Sequence, residues 1–355
     1  MAELWNKYAN TAARKHGAPG RTNRPQSTTI DVHSHIFVKK AAEFSGPHVK
    51  PDLLGQFASA ETQQIQKQQN ADRLPVMMEI DQRLKDMDEQ GIDIQLIMCA
   101  PGQCHYSAPL EILVKASQMI NEGIAEYMAR KPDRFLGLGT VPLMDGEESA
   151  KELERSMKTY GLKGAQILTN VAGEKEISDP SLEPFWKKAE ELGAVILLHP
   201  NGFTQAHRFK PYYFTNVIGN PLDTTVALHH LIFSGVLERY PNLKIITVHG
   251  GGYLGAYWGR IDHAWGARAD AKDSLPKPPT SYLKKLYFDS VVFTPEQLKA
   301  LVDAFGVDHV VLGTDYPYDM AEYDPVGHIN SVESFDAATR AAIAGGNAKK
   351  LLGIK

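Results

Sequence analysis

The chain has 355 residues, 43% hydrophobic and 23% charged, with a formal net charge of −4. This is the composition of an ordinary globular protein with enough apolar material for a large core. The faint acidity argues against nucleic acid or an anionic membrane as a partner, and no apolar run approaches the ~20 residues needed to cross a bilayer.

Residues 1–28 are polar and basic, with Lys7, Arg14, Lys15, Arg21 and Arg24 set against Glu3. They lack the apolar stretch of a secretory signal and read as an N-terminal arm packed on the domain or on a neighbouring subunit, a transit peptide being the alternative. Residues 29–355 read as one domain. A first strand covers 28–32 and runs into His33-Ser34-His35. The mixed segment 39–70, broken by Pro51 and Gly55, reads as an insertion after that strand. Pro75 opens a helix that Gly91 ends. Strands are then expected at 94–98, 135–141, 164–168, 194–198, 244–248, 286–288 and 309–312. Helices fall between them at 110–130, 147–160, 182–192, 222–239 and 295–305, and further helices follow at 335–344 and 347–352. Cys99 and Cys104 are the two cysteines, and they read as free thiols of a cytoplasmic protein. Eight short strands alternating with helices predict an α/β fold, a parallel (β/α)8 TIM barrel with an insertion after strand 1. An open doubly wound sheet is the competitor. It would want a glycine-rich phosphate turn after an early strand, and Gly250-Gly251-Gly252 lacks that spacing.

The chemistry gathers at the C-terminal strand ends, which in such a barrel meet at one mouth. His33 and His35 stand two apart and share a face of strand 1. A lone His-x-His carries little. Here His199 follows strand 5, His249 follows strand 6 and Asp315 follows strand 8. Imidazoles and a carboxylate converging from strands around the ring point to a metal site.

These motifs resemble the amidohydrolase superfamily, in its amidohydrolase-2 branch, and within it the carboxymuconate-semialdehyde decarboxylases. The matching pieces are Ile30-Asp31-Val32-His33-Ser34-His35, His199-Pro200, His249-Gly250-Gly251-Gly252, Gly259-Arg260-Ile261-Asp262, Gly313-Thr314-Asp315-Tyr316-Pro317 and Asn347-Ala348. The resemblance implies that His33, His35, His199 and Asp315 bind one divalent metal ion, zinc before manganese. It gives His249 an acid–base role beside a metal-bound water, with Asp315 also touching that water. Binuclear members use a lysine on strand 4. Here that strand is Gly164-Ala165-Gln166-Ile167-Leu168, with Lys163 outside it, which favours a single metal.

A carboxylate substrate calls for arginine, whose planar fork binds it through two oxygens. Arg260 and Arg268 match positions that bind carboxylate in the family, including across a dimer, and Arg73 matches a further one. An ordinary surface salt bridge is the alternative for each. Where the resembling decarboxylases have a tryptophan after the strand-5 His-Pro, this chain has Asn201-Gly202-Phe203. Phe203, Tyr212 and Tyr213 are read either as packing on a flat ligand or as core. The implied activity is metal-dependent, non-oxidative decarboxylation of an aromatic or muconate-type acid by a homo-oligomer. The same ligands serve a hydrolase or hydratase acting on a lactone, an amide or an unsaturated keto-acid, so the metal site alone does not choose. A barrel that has lost catalysis and serves in binding is the third reading.

Overall fold

The computed structural model describes residues 24–49, 57–272 and 275–354. Eight parallel barrel strands follow in chain order: β1 Ile30–Ile36, β2 Ile94–Cys99, β3 Phe135–Gly137, β4 Gly164–Leu168, β5 Val195–His199, β6 Lys244–Thr247, β7 Tyr287–Asp289 and β8 Val310–Val311. Strands β1, β2 and β3 pair in that order, and β4 to β8 pair in sequence. Two seams close the ring. Gly139 N–H donates to Gly164 O at 2.9 Å across the β3–β4 seam, and Val32 N–H donates to Leu312 O at 2.9 Å across the β8–β1 seam. The result is the (β/α)8 barrel. A small antiparallel hairpin, Asn170–Val171 with Lys175–Glu176, sits after β4.

The strands are apolar on both faces, as a parallel sheet wrapped in helices requires. Ile30, Val32, Leu96, Val195, Leu197, Ile246 and Val311 pack in one cluster, which Leu351 of the terminal helix Asn347–Leu352 joins. The surrounding helices carry their own stop signals. Asp145 accepts from the N–H groups of Glu147 and Glu148 at the start of Gly146–Tyr160, and left-handed Gly161 ends it.

Strand 3, expected over 135–141, is only Phe135–Gly137, and helix structure departs from the sequence reading in three further respects. Much of the segment read as a broken insertion is the helix Ala60–Met78, with Ser59 as its cap. Pro75 lies inside that helix rather than at the start of the next, and the chain turns at Glu79 before Ile80–Gln90. Its residues from Glu61 to Asn70 are almost all polar, so no apolar period announces a helix. Third, the helix read over 222–239 is split into Gly219–Phe233 and Val236–Arg239, with left-handed Gly235 between. Residues 1–23 of the expected arm, and Pro51 and Gly55, lie outside the described residues.

Candidate metal centre

Strand β1 is irregular between Asp31 and Ser34, where its register against β2 shifts. Simple alternation would put Val32 and His33 on opposite faces. The bulge instead lets Ile30 and Val32 join the barrel interior while His33 and His35 take up the same inward side above them. The ring centroids of His33, His35 and His199 lie 5.1, 5.0 and 5.0 Å apart pairwise. His199 is the last residue of β5 and shares its face with Val195 and Leu197.

Asp315 reaches the centre of this triangle from beyond β8. Its Oδ1 lies 3.2 Å from His33 Nε2, 3.1 Å from His35 Nε2 and 3.8 Å from His199 Nε2. Its other oxygen, Oδ2, faces His249 Nε2 at 3.6 Å. Asp315 and His249 both hold left-handed backbone, with φ of 62° and 54°. Residues of this kind persist in such conformations only where their surroundings fix them. Asp315 N–H donates to His33 O at 2.8 Å, and Thr314 N–H and hydroxyl donate to the two Asp31 oxygens at 3.0 and 2.7 Å. Beyond His249, a Cβ on Gly252 would come within 2.3 Å of Pro221 O. Only glycine fits that turn.

The outer nitrogen of each of the three rings is already taken. His33 Nδ1 is 2.8 Å from Asp289 Oδ2, His35 Nδ1 is 3.1 Å from Cys99 O, and His199 Nδ1 is 2.6 Å from Pro200 O. These contacts aim the Nε2 atoms at the centre, as the outer partners of metal-binding histidines do. His33 Nε2 and His199 Nε2 are buried with no hydrogen-bond partner. Orphaned nitrogens converging on a carboxylate fit a divalent cation. Donor atoms of His33, His199, His249 and Asp315 lie within 4.8 Å of one another. The chain therefore carries a site for a divalent metal ion.

Electrostatics sharpen this arrangement. Burial pulls the His35 pKa below its ordinary value and that of His199 down to about 3. Burial opposes charge on His33 too, but Asp315 on one side and Asp289 on the other push it up to about 10. Asp315 is buried yet held well below the usual carboxylate range by these imidazoles, His33 foremost. Neutral imidazoles and an ionised carboxylate are the forms that bind a cation, so metal binding would displace the proton on His33.

Two cavities meet at Asp315. The first, about 520 Å³, runs past His199, Arg73, Tyr213, Tyr318 and Asp319. Arg73 is buried there, 3.6 Å from Asp319, with its guanidinium carbon 4.8 Å from the centroid of Tyr318. The second, about 360 Å³, lies on the His249 side. Arg73, read from sequence as a substrate residue, thus lines a cavity at the centre. Arg260 and Arg268 line neither cavity of their own chain. Both are exposed, and Arg268 pairs with Asp270 at 2.6 Å. Phe203 lines neither and stacks on Phe209 with centroids 6.0 Å apart. Tyr213 lines the first cavity, whereas Tyr212 is 80% exposed.

The sequence reading missed Asp289, Tyr318 and Asp319. Asp289 is the last residue of β7, a strand-end position like that of His199, and this placement was its one available signal. Besides holding His33, it accepts from Gly250 N–H at 2.9 Å, so one carboxylate braces both the first ligand and the His249 turn. Gly313 leaves room for this contact, since a Cβ there would lie 2.9 Å from Asp289 Cβ and 3.1 Å from His33 Cβ.

The family model described as "Amidohydrolase" matches residues 30–354. A 2-amino-3-carboxymuconate-6-semialdehyde decarboxylase of Dictyostelium discoideum is 37% identical over 275 residues, covering 77% of this chain and 76% of that protein. A gamma-resorcylate decarboxylase of Rhodococcus jostii is 28% identical, covering 73% of this chain and 81% of that protein. Among solved structures, a dihydroxybenzoic acid decarboxylase of Polaromonas sp., with bound manganese and the inhibitor 2-nitroresorcinol, superposes with a TM-score of 0.76. It is 23% identical and covers 92% of this chain and 97% of that one. With the family model spanning nearly the whole barrel and its metal-binding mouth, the chain belongs to the amidohydrolase family.

Proposed function

We propose that the chain is a metal-dependent, non-oxidative decarboxylase of an aromatic or muconate-type carboxylic acid. The observation that carries this reading is the likeness to decarboxylases over about three quarters of the chain, and the geometry that serves it is one carboxylate with two environments. Asp315 Oδ1 faces the three imidazoles of a metal site, and Oδ2 faces His249, whose ring nitrogens are not engaged as theirs are. The decarboxylase names of the relatives support it.

His33, His35, His199 and Asp315 would hold the metal, and three nitrogens with one oxygen suit zinc, with manganese as the alternative. When bound, such a cation polarises a substrate oxygen and lowers the pKa of water beside it. In the reaction the bond to the carboxylate breaks, its electron pair stays on the ring or diene carbon, carbon dioxide leaves and a proton takes its place. No oxidant enters this balance. His249 has its Nδ1 without a hydrogen-bond partner and its side chain 17% exposed, so it is placed to move that proton at Nε2. Arg73, steadied by Asp319 and Tyr318, would receive an anionic group of the substrate.

The protein is further read as a homo-oligomer in which exposed Arg260 reaches a neighbouring site. Exposed Tyr257 and Trp258 precede it in the chain. Residues 1–28 are read as an arm outside the barrel domain. No helix among the described residues is long and apolar enough to cross a membrane. Cys99 and Cys104 are buried free thiols, which suits the reducing cytoplasm.

The test is carbon dioxide release by the zinc- or manganese-loaded protein from hydroxybenzoates, aminobenzoates and carboxymuconates. Release from one class, lost on chelation and restored by metal, is the expected result. A metal-loaded protein that releases none but opens a lactone or cleaves an amide would establish hydrolysis instead.

A further inference from the structure

The second cavity, about 360 Å³, shares Asp315, Asn216, Asn220 and Met320 with the first, so the two adjoin at the metal centre. Its wall is mainly apolar, with Val217, Pro221, Val292, Phe293, Leu301 and Met320 prominent, and Asn216, Asn220, His249, Tyr253 and Gln297 are the uncharged polar side chains set into it. Among the described residues no lysine or arginine lines it, and its one carboxylate is Asp315. The first cavity, by contrast, adds the charged pair Arg73 and Asp319.

Size separates their tasks. An apolar hole of about 150 Å³ already takes a benzene ring. The first cavity, at about 520 Å³, therefore has room for the ring of a monocyclic acid. Of the second, such a substrate needs only the end at His249, where its proton is transferred, and the lining beyond disfavours charge, because an ionic group there would lose water and meet amide and phenol groups but no fixed charge other than that of Asp315.

We propose that the second cavity is an apolar subsite for a hydrocarbon substituent, alkyl or aryl, carried by the substrate. The carboxylate and polar groups of the acid stay at the metal centre and on the Arg73 side. The substituent extends past His249 toward Val292 and Leu301. This assignment rests on the decarboxylase reading for its carboxylic acid, and it adds a selectivity that the metal site does not supply.

Binding calorimetry on the zinc-loaded protein tests it without requiring turnover. The probes are 2-hydroxybenzoate, its propyl-substituted homologues at each ring position, and the corresponding carboxymethyl compounds. Burial yields roughly fourfold in affinity per methylene. At one ring position the propyl homologue is expected to bind at least about tenfold tighter than the parent, and its carboxymethyl counterpart more weakly. Ala300→Trp and Ala256→Trp, which fill the cavity from two separate wall segments, should each remove the propyl gain. If either variant fails to fold, the other carries the test. No gain at any position, or a gain that the folded variants retain, overturns the subsite. Failure of every probe to bind overturns it as well. Carbon dioxide release measured in parallel separates the two readings. A propyl gain with no release from any acid removes the decarboxylase and leaves the subsite, whereas release without the gain does the reverse.

Discussion

Asp289 shows what one side chain does at this centre. Its two oxygens take His33 Nδ1 and Gly250 N–H, tying a metal ligand on β1 to the turn that carries His249. Outer partners of this kind typically contribute 10- to 100-fold, roughly, to metal affinity. Asp289→Asn should weaken zinc binding by about that factor in a chelator competition, with the fold intact by circular dichroism. Unchanged affinity would show that His33 needs no such brace. The five residues read from the sequence at the strand ends, His33, His35, His199, His249 and Asp315, do converge in space. They were legible because each stands at a predictable point of a repeating strand–helix pattern. Asp289 obeys the same rule, but an acidic residue at the end of a three-residue strand has nothing local to mark it. Arg260 and Arg268 fall outside their own chain's cavities, where charge alone could not place them.

At the scale of elements, buried polar contacts join packing in fixing the helices. Asp223, on the helix Gly219–Phe233, accepts from Asn170 Nδ2 at 2.8 Å and from the Thr169 hydroxyl. It thereby locks that helix to the loop after β4. Burial raises its pKa from 3.8 to about 6, against the pull of those two donors. A raised carboxyl pKa means that the folded state holds the proton longer than the unfolded chain. The stability this contributes is fully present below pH 4 and is lost as pH rises through 6. Asp223→Asn does not titrate. The stability of the natural protein relative to this variant should therefore fall by roughly 2 kcal/mol between pH 4 and pH 7. Denaturant melts of both proteins across that range check it, and a pH-independent difference would contradict it. Elements with an apolar period, such as Pro295–Phe305, were found from sequence with their bounds intact. The polar helix Ala60–Met78 was not, because its stability comes from its Ser59 cap and from the few side chains it buries, Arg73 and Met77 among them.

The whole molecule is a ring whose closure and chemistry use the same residues. His33 O receives the Asp315 N–H and His35 N–H donates to Tyr316 O at 2.8 Å, so the β8–β1 seam is also the metal centre. If Arg260 acts across a subunit interface, Arg260→Ala should abolish turnover, and so should His199→Ala. Mixed oligomers of the two should regain a fraction of the parental rate, because some sites then hold both natural residues. No recovery after proven subunit exchange would count against a shared site.

Decarboxylation replaces a carboxylate with a proton. The most direct measurement runs the zinc-loaded protein in deuterium oxide with the acid that releases carbon dioxide fastest, and locates deuterium in the product by NMR. The expected result is one deuterium on the carbon that bore the carboxylate, one carbon dioxide per product and no oxygen consumed. His249→Ala is also expected to keep its metal and lose turnover by about 10²- to 10⁴-fold. A product that retains its carboxylate and gains the elements of water would contradict decarboxylation. Loss of the metal from His249→Ala would move His249 into the ligand set.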